Sequence, residues 1–122
     1  MLTTIGQIAI RVHDLARATA FYRDVLELKF LFAAPNLAFF EVGGIWLMLS
    51  PAEQPEFDHP ASILYFDVAD IGAVHGTLQG RGVTFRTEPH AIHRDGNREL
   101  WLSDFYDSEQ NTYALRQWKA VA

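Results

Sequence analysis

The chain has 122 residues, 49% of them hydrophobic and 20% charged, which predicts one folded domain with a core of its own. Its net charge of −5 argues against nucleic-acid binding, because that needs clustered basic residues. Without cysteine there are no disulfides, thiolate nucleophiles or cysteine metal ligands. The sequence shows neither an apolar run of membrane-spanning length nor a signal-peptide pattern, so we expect a cytoplasmic protein without a membrane partner.

The first predicted element is a strand that leads directly into a helix. Ile8, Ile10 and Val12 alternate along one face, and after Asp14 the apolar residues recur at helical spacing. A carboxylate at this switch can accept the free amide hydrogens of the first helical turn, so Asp14 is the predicted N-cap. Three strands are expected after this helix, at 29–32, 37–42 and 45–50, with a glycine turn at 43–44.

The second half repeats this order after a proline-rich linker at 51–61. Leu64 aligns with Ile8, and Asp70 aligns with Asp14 as a second acidic cap. The elements expected here are a strand at 63–68, a helix at 70–79 and strands at 83–86, 99–105 and 112–117. The repeat predicts an internal duplication within a single domain, with modules at about 4–50 and 62–118.

Three motifs resemble those of a known superfamily: Asp14-Leu15, Phe21-Tyr22 and the Asp-x-x-x-Asn-x-x-x-Leu pattern at 107–115. Together with the repeat, they resemble the vicinal oxygen chelate superfamily of glyoxalases, bleomycin-resistance proteins and extradiol dioxygenases. The third motif departs slightly, because the family commonly has Asp-Pro-Asp-Gly-Asn at its start. The resemblance covers essentially the whole chain. It implies an α+β fold whose two βαβββ modules form a cup-shaped mixed-sheet barrel, with the helices on the outer face, often as a homodimer.

The resemblance also implies four metal-ligand positions, which fall on Gln7, Met48, Ile63 and Ala114. Gln7 can coordinate a metal, but Met48 offers a thioether that suits hard divalent ions poorly, and Ile63 and Ala114 offer no donor. We therefore predict no metal and no other cofactor. The alternative is a divalent metal held by ligands outside these positions.

Strand alternation predicts which side chains line the cleft of the cup. The predicted ligand-binding residues are Gln7, Arg11, Trp46, Met48, Ile63, Tyr65, Asp67, Trp101, Ala114 and Arg116. Glu99 and Ser103 are expected on the same face as Trp101. A mixture of aromatic and polar groups is typical of a small-molecule site.

Two features of this set have alternative interpretations. Some glyoxalases carry an arginine four residues after the first-strand ligand that binds a substrate carboxylate, and Arg11 matches that spacing. Arg11 either holds an anionic ligand group or forms a salt bridge with Asp67 or Glu99. The two tryptophans of the predicted set are either stacking plates for a planar ligand or core and dimer contacts.

The histidines give weaker indications. His90 and His93 are expected in extended chain, where their odd offset would place the rings on opposite faces. They are either ordinary edge residues, or His90, alone or with Glu99, acts as a proton carrier or ligand. No other catalytic residue is indicated. The remaining histidines, His13, His59 and His75, are expected to be exposed.

Three functions are compatible with these features. We favour metal-free binding of a small aromatic or amphipathic molecule, with an anionic group if Arg11 contacts it. The first alternative is a glyoxalase-like or dioxygenase-like enzyme with non-standard metal ligands. The second is an interaction module whose cleft has lost its ligand, and the identity of any ligand stays open.

Overall fold

The computed structural model describes residues 1–121 and divides the chain into two compact units, Met1–Ala61 and Ser62–Ala122. The predicted linker belongs to the first unit. Each unit has the element order βαβββ. The first contains β1 (Gln7–Arg11), α1 (Leu15–Ala20), β2 (Lys29–Ala34), β3 (Leu37–Val42) and β4 (Ile45–Ser50). The second contains β5 (Leu64–Asp67), α2 (Ile71–Gly80), β6 (His90–Asp95), β7 (Arg98–Tyr106) and β8 (Thr112–Ala120).

Each unit contains one four-stranded mixed sheet. The strand orders are β1-β4-β3-β2 and β5-β8-β7-β6, so the two sheets share one topology. The first strand of each unit pairs in parallel with the last, and the other pairings are antiparallel. This equivalence confirms the predicted α+β class and the two βαβββ modules, while assembly into a cup-shaped barrel stays a prediction.

In the first unit, α1 covers one face of its sheet. Ile10, Leu47 and Leu49 alternate toward the helix and are buried. Tyr22 comes from a single π-helical turn, Phe21–Val25, that continues α1, and its ring packs 5.9 Å from that of Phe40. The apolar residues that alternate along the strands therefore pack against the apolar stripe of the helix in one core, as expected for a half-buried sheet covered by an amphipathic helix.

Asp14 and Asp70 cap the two helices, as predicted. The Oδ1 atom of Asp14 accepts a hydrogen bond from the amide of Arg17 at 3.0 Å, and that of Asp70 accepts one from Ala73 at 3.0 Å. Both aspartates have extended backbone, which is the usual N-cap geometry. The duplication thus extends to the side chain that begins each helix.

The second unit corrects the prediction that His75 is exposed. Only 7% of its surface is accessible, because it lies four residues after the buried Ile71, on the same face of α2. Its ring centroid lies 4.3 Å from that of Phe85, and Nε2 lies 3.7 Å from a carboxylate oxygen of Glu88. The imidazole therefore serves as part of the apolar face of the helix.

The predicted strand at 83–86 is wrong, and the edge strand of the second sheet is β6. Phe85 forms an isolated bridge with Phe105, and Arg86 donates a backbone hydrogen bond to Asp104. These contacts hold the segment against β7 without making a full strand. Strand β6 is exposed along its whole length, so it lacks the apolar alternation on which sequence-based assignment depends.

The turn between β7 and β8 is closed by a buried carboxylate. Asp107 Oδ1 accepts hydrogen bonds from the amides of Glu109 and Asn111, each at 2.8 Å, and Oδ2 accepts one from Asn111 Nδ2 at 2.9 Å. These bonds explain why the Asp107–Asn111 part of the motif survives although its middle residues differ from the family pattern. Within residues 1–121, no helix is both long and apolar enough to cross a membrane.

Candidate functional site

The first sheet has one face covered by α1 and an opposite face that we call its open face. Cross-strand partners lie on the same face, and the register pairs Gln7 with Trp46, Ala9 with Met48 and Arg11 with Ser50. These side chains alternate with the buried residues of β1 and β4, so they belong to the open face. The structure therefore brings together Gln7, Arg11, Trp46 and Met48, as the alternation predicted.

A pocket of about 290 Å³ lies between this open face and residues 51–61. Its walls combine aliphatic, aromatic and polar groups, as small-molecule sites usually do. The sheet contributes Ala9, Ile10, Arg11, Met48 and Ser50. The connecting segment contributes Pro51, Ala52, Glu53, Phe57, His59 and Ala61.

Arg11 supplies the positive charge of the pocket. Only 13% of its side chain is exposed, and its Nη1 atom lies 2.9 Å from Oδ1 of Asp58. Asp58 itself is 57% exposed, so the cation is the partly desolvated member of the pair. Arg11 thus forms a salt bridge, as one interpretation predicted, but its partner is Asp58 and not Asp67 or Glu99.

In the second sheet, four of the predicted site residues lie on one face. The register pairs Tyr65 with Ala114 and Asp67 with Arg116. Ala114 is fully buried, so it offers a packed wall and no polar group. Ile63 precedes β5 and is exposed.

Arg116 is engaged by its neighbour on β5. Its Nε and Nη2 atoms bind the two carboxylate oxygens of Asp67 at 2.6 and 3.1 Å, which is a bidentate arrangement. The hydrogen bonds from Arg116 lower the pKa of Asp67 below its ordinary value, and they raise that of Arg116. Arg116 is thus charge-compensated within its own sheet.

The predicted face of Trp101, Glu99 and Ser103 is wrong. The register pairs Trp101 with Gln117, whose side chain accepts a hydrogen bond from the backbone of Ile71 at the start of α2. These three β7 residues therefore lie on the helix-bearing face. The sequence could not reveal this, because apolar residues occupy both parities of β7 and a shift of one residue inverts the face.

Neighbouring side chains hold Trp101 and Glu99 in place. Trp101 Nε1 donates to Glu99 Oε1 at 3.4 Å, and Lys119 Nζ lies 4.0 Å from the Trp101 ring centroid. A cation over an aromatic ring is a favourable contact in its own right. Trp101 therefore has a local structural role on this face.

The predicted arrangement of the histidines is also wrong. A bulge at Ile92 lets His90 pair with Leu102 and His93 with Leu100, so both rings lie on one face of β6. Glu99 lies on the opposite face, which rules out the suggested pairing of His90 with Glu99. His90 Nδ1 instead lies 2.7 Å from the carbonyl oxygen of Glu88.

The four positions implied by the family do not fit a divalent metal. The amide nitrogen of Gln7 donates to the sulfur of Met48 at 3.5 Å, while Ile63 and Ala114 carry only hydrocarbon. Hard cations need several oxygen or imidazole donors with compensating charge, and this set lacks both. Across residues 1–121, no three His, Cys, Asp or Glu side chains are grouped closely enough to form such a site elsewhere.

Several residues of the open face and pocket were not predicted from the sequence. Asp58, Phe57 and His59 belong to a segment interpreted as a linker, whose Pro55–Phe57 part forms a 3₁₀ turn. The unpredicted residues on β2 and β3 are Phe32 and Phe39, which pair across the two strands. Alternation within 37–42 would have placed Phe39 beside Met48, but the bulge in β2 has no sequence signal.

Family comparison agrees with the fold. A model described as the glyoxalase/bleomycin resistance protein/dioxygenase superfamily matches residues 4–114. The chain therefore belongs to this superfamily, as its motifs predicted.

Comparison with individual proteins finds partial or low-identity matches. Metallothiol transferase FosB of Staphylococcus saprophyticus is 34% identical over 50 residues, which are 41% of this chain and 33% of that protein. FosB of Staphylococcus haemolyticus is 30% identical over 73 residues, or 57% of this chain and 52% of that protein. The matches thus span a third to about half of the relatives' length. The fosfomycin resistance protein FosX from Listeria monocytogenes has a TM-score of 0.73 at 17% identity, covering 96% of this chain and 94% of that one, and shows the fold alone.

Proposed function

We propose that the protein binds a small amphipathic anion in the pocket of its first unit, without a metal ion. The observation that carries this proposal is the partly desolvated Arg11 in the wall of an otherwise largely apolar pocket. A guanidinium binds a carboxylate or phosphonate through two parallel hydrogen bonds. These hydrogen bonds become stronger when water is excluded from the site.

The contact between Asp58 and Arg11 supports this proposal, because it shows that a carboxylate can reach the guanidinium. The carboxylate is carried by the connecting segment and is largely exposed, so an incoming ligand anion can exchange with it. Because Asp58 is largely exposed, its carboxylate regains full hydration when it leaves Arg11, which lowers the free-energy cost of the exchange. The apolar lining from Met48 and Phe57 then selects ligands with a hydrophobic body over free inorganic anions.

The experiment is calorimetric titration with benzoate and phenylphosphonate. Arg11→Gln should weaken binding about 10- to 100-fold, because a hydrogen bond to a charged group contributes about 1.5–3 kcal/mol. Arg23→Gln is the matched control, since Arg23 is paired with its neighbour Asp24 on the helical segment. Equal affinities for the Arg11→Gln and wild-type proteins would refute the proposal.

The alternative is a metal-dependent enzyme, which the name metallothiol transferase of the staphylococcal relatives favours. Such an activity would need donors other than the four family positions. Dependence on metal distinguishes the two functions. The enzyme requires metal for ligand binding or turnover, and the proposed binding protein does not.

A further inference from the structure

Three aromatic side chains form a platform on the open face of the first sheet. We define the aromatic platform as Phe32, Phe39 and Trp46. The two phenylalanine rings are stacked with centroids 4.7 Å apart, and Trp46 meets them edge-on at 5.8 and 5.5 Å. Phe32 is 44% exposed and Trp46 is 41% exposed. A contiguous exposed aromatic cluster of this kind usually marks a binding surface.

The platform is continuous with the pocket. Phe39 is the cross-strand partner of Met48, and Met48 also lines the pocket. Strand β4 therefore carries the platform at Trp46, the shared residue at Met48 and the pocket at Ser50. Ser50 pairs with Arg11, so the cation and the platform are separated by four strand residues, or about 13 Å between Cα atoms.

We infer that the ligand is elongated, with an anionic group on Arg11 and a planar aromatic group on the aromatic platform, whose strand positions lie about 13 Å apart between Cα atoms. This inference rests on the proposed function, which requires only the anionic end. The apolar side chains of Met48 and Ala9 on the same face suit an apolar or peptide-like spacer between the two ends. The chemical class is thus an aryl carboxylate with a spacer, rather than a compact aromatic acid.

A ladder of 2-naphthoyl-oligoglycines tests this separation. An extended residue spans about 3.3–3.6 Å, so three or four glycines place the aryl group and the carboxylate at the required distance. Calorimetric affinity should rise from naphthoic acid to these lengths and then fall. Arg11→Gln should weaken the short and long probes alike.

Phe32→Leu should weaken the long probes about three- to tenfold and leave naphthoic acid unchanged, because it removes a stacking partner and keeps an apolar side chain. Phe30→Leu is the matched control. It lies on the same strand, but its ring packs 5.5 Å from Phe40 on the helix-bearing face. Thermal unfolding of both variants checks that the fold is retained.

Three outcomes would overturn the inference. Affinity that is independent of spacer length and of Phe32→Leu, but sensitive to Arg11→Gln, would leave the proposed function intact and exclude the elongated ligand. No binding of any probe would overturn the proposed function as well. Concentration-dependent self-association in sedimentation, abolished by Phe32→Leu with no effect on probe affinity, would assign the aromatic platform to a second copy of the chain.

Discussion

Under the proposed function, Asp58 competes with the ligand anion for Arg11. An internal carboxylate that contacts the anion-binding guanidinium competes with any anionic ligand, so its removal favours binding. The competition is modest, because one partner is largely exposed.

Asp58→Asn should therefore raise the affinity for benzoate and phenylphosphonate about two- to fivefold. Titration calorimetry measures the change, and Glu56→Gln in the same segment controls for the loss of one negative charge. A lower affinity in Asp58→Asn would mean that Asp58 positions Arg11 for the ligand instead of competing with it.

The Asp67–Arg116 pair makes a pH-dependent contribution to stability. The pKa of Asp67 is lowered in the folded state, mainly by hydrogen bonds from Arg116. The pair therefore stabilises the fold above the unfolded-state pKa of about 3.9, and this contribution is lost as pH falls through the lower folded-state pKa.

A double-mutant cycle of Asp67→Asn and Arg116→Gln should thus show favourable coupling at pH 7 that weakens as the pH falls through the lowered folded-state pKa of Asp67. Urea unfolding at several pH values measures it. No coupling at pH 7 would show that the ion pair is absent in solution.

At the level of single side chains, the sequence predicted the first unit better than the second. Strand β1 has one clean apolar parity, which placed Gln7 and Arg11 correctly beside their β4 partners. Strand β7 has apolar residues on both parities, so the faces of Trp101 and Glu99 were inverted. The partner of Arg11 lies 47 residues away, and no local pattern encodes such a contact.

At the level of elements, acidic residues at the turns have unequal roles. Asp14 is exposed and caps a helix through the amide of Arg17, whereas Asp107 is buried and its carboxylate accepts hydrogen bonds from Glu109 and Asn111 in the β7–β8 turn. The free-energy cost of losing a carboxylate should follow this difference in burial and bonding.

We predict that Asp107→Ala lowers the free energy of unfolding by about 3 kcal/mol or more, and that Asp14→Ala lowers it by about 1 kcal/mol. Both changes remove the same atoms, so each controls for the other. Urea unfolding provides the measurement, and similar losses would contradict the structural role assigned to Asp107.

Two strands of the first unit have boundaries that the sequence predicted correctly. The strands 37–42 and 45–50 were predicted at their observed limits. The exposed strand β6 was missed, and its bulge at Ile92 reversed the expected relation between His90 and His93. Bulges depend on the paired strand, so a single-sequence pattern does not contain them.

At the level of the whole molecule, the duplication is the most informative feature of the sequence. Two copies of one βαβββ unit gave the fold class, both helix caps and the family. Three of the positions that the resemblance assigns to metal ligands carry Met48, Ile63 and Ala114, whose side chains offer no oxygen or nitrogen donor. A conserved scaffold with altered chemistry is common, because function resides in site residues rather than in the fold.

If the proposed function is correct, the protein binds an aryl anion without metal. The most direct test is titration of naphthoyl-triglycine into protein stripped with EDTA, repeated after addition of Mn²⁺, Ni²⁺ or Zn²⁺. We predict measurable binding to the stripped protein and the same affinity with each metal. Binding that appears only when a metal is restored would contradict the claim and favour the metal-dependent enzyme.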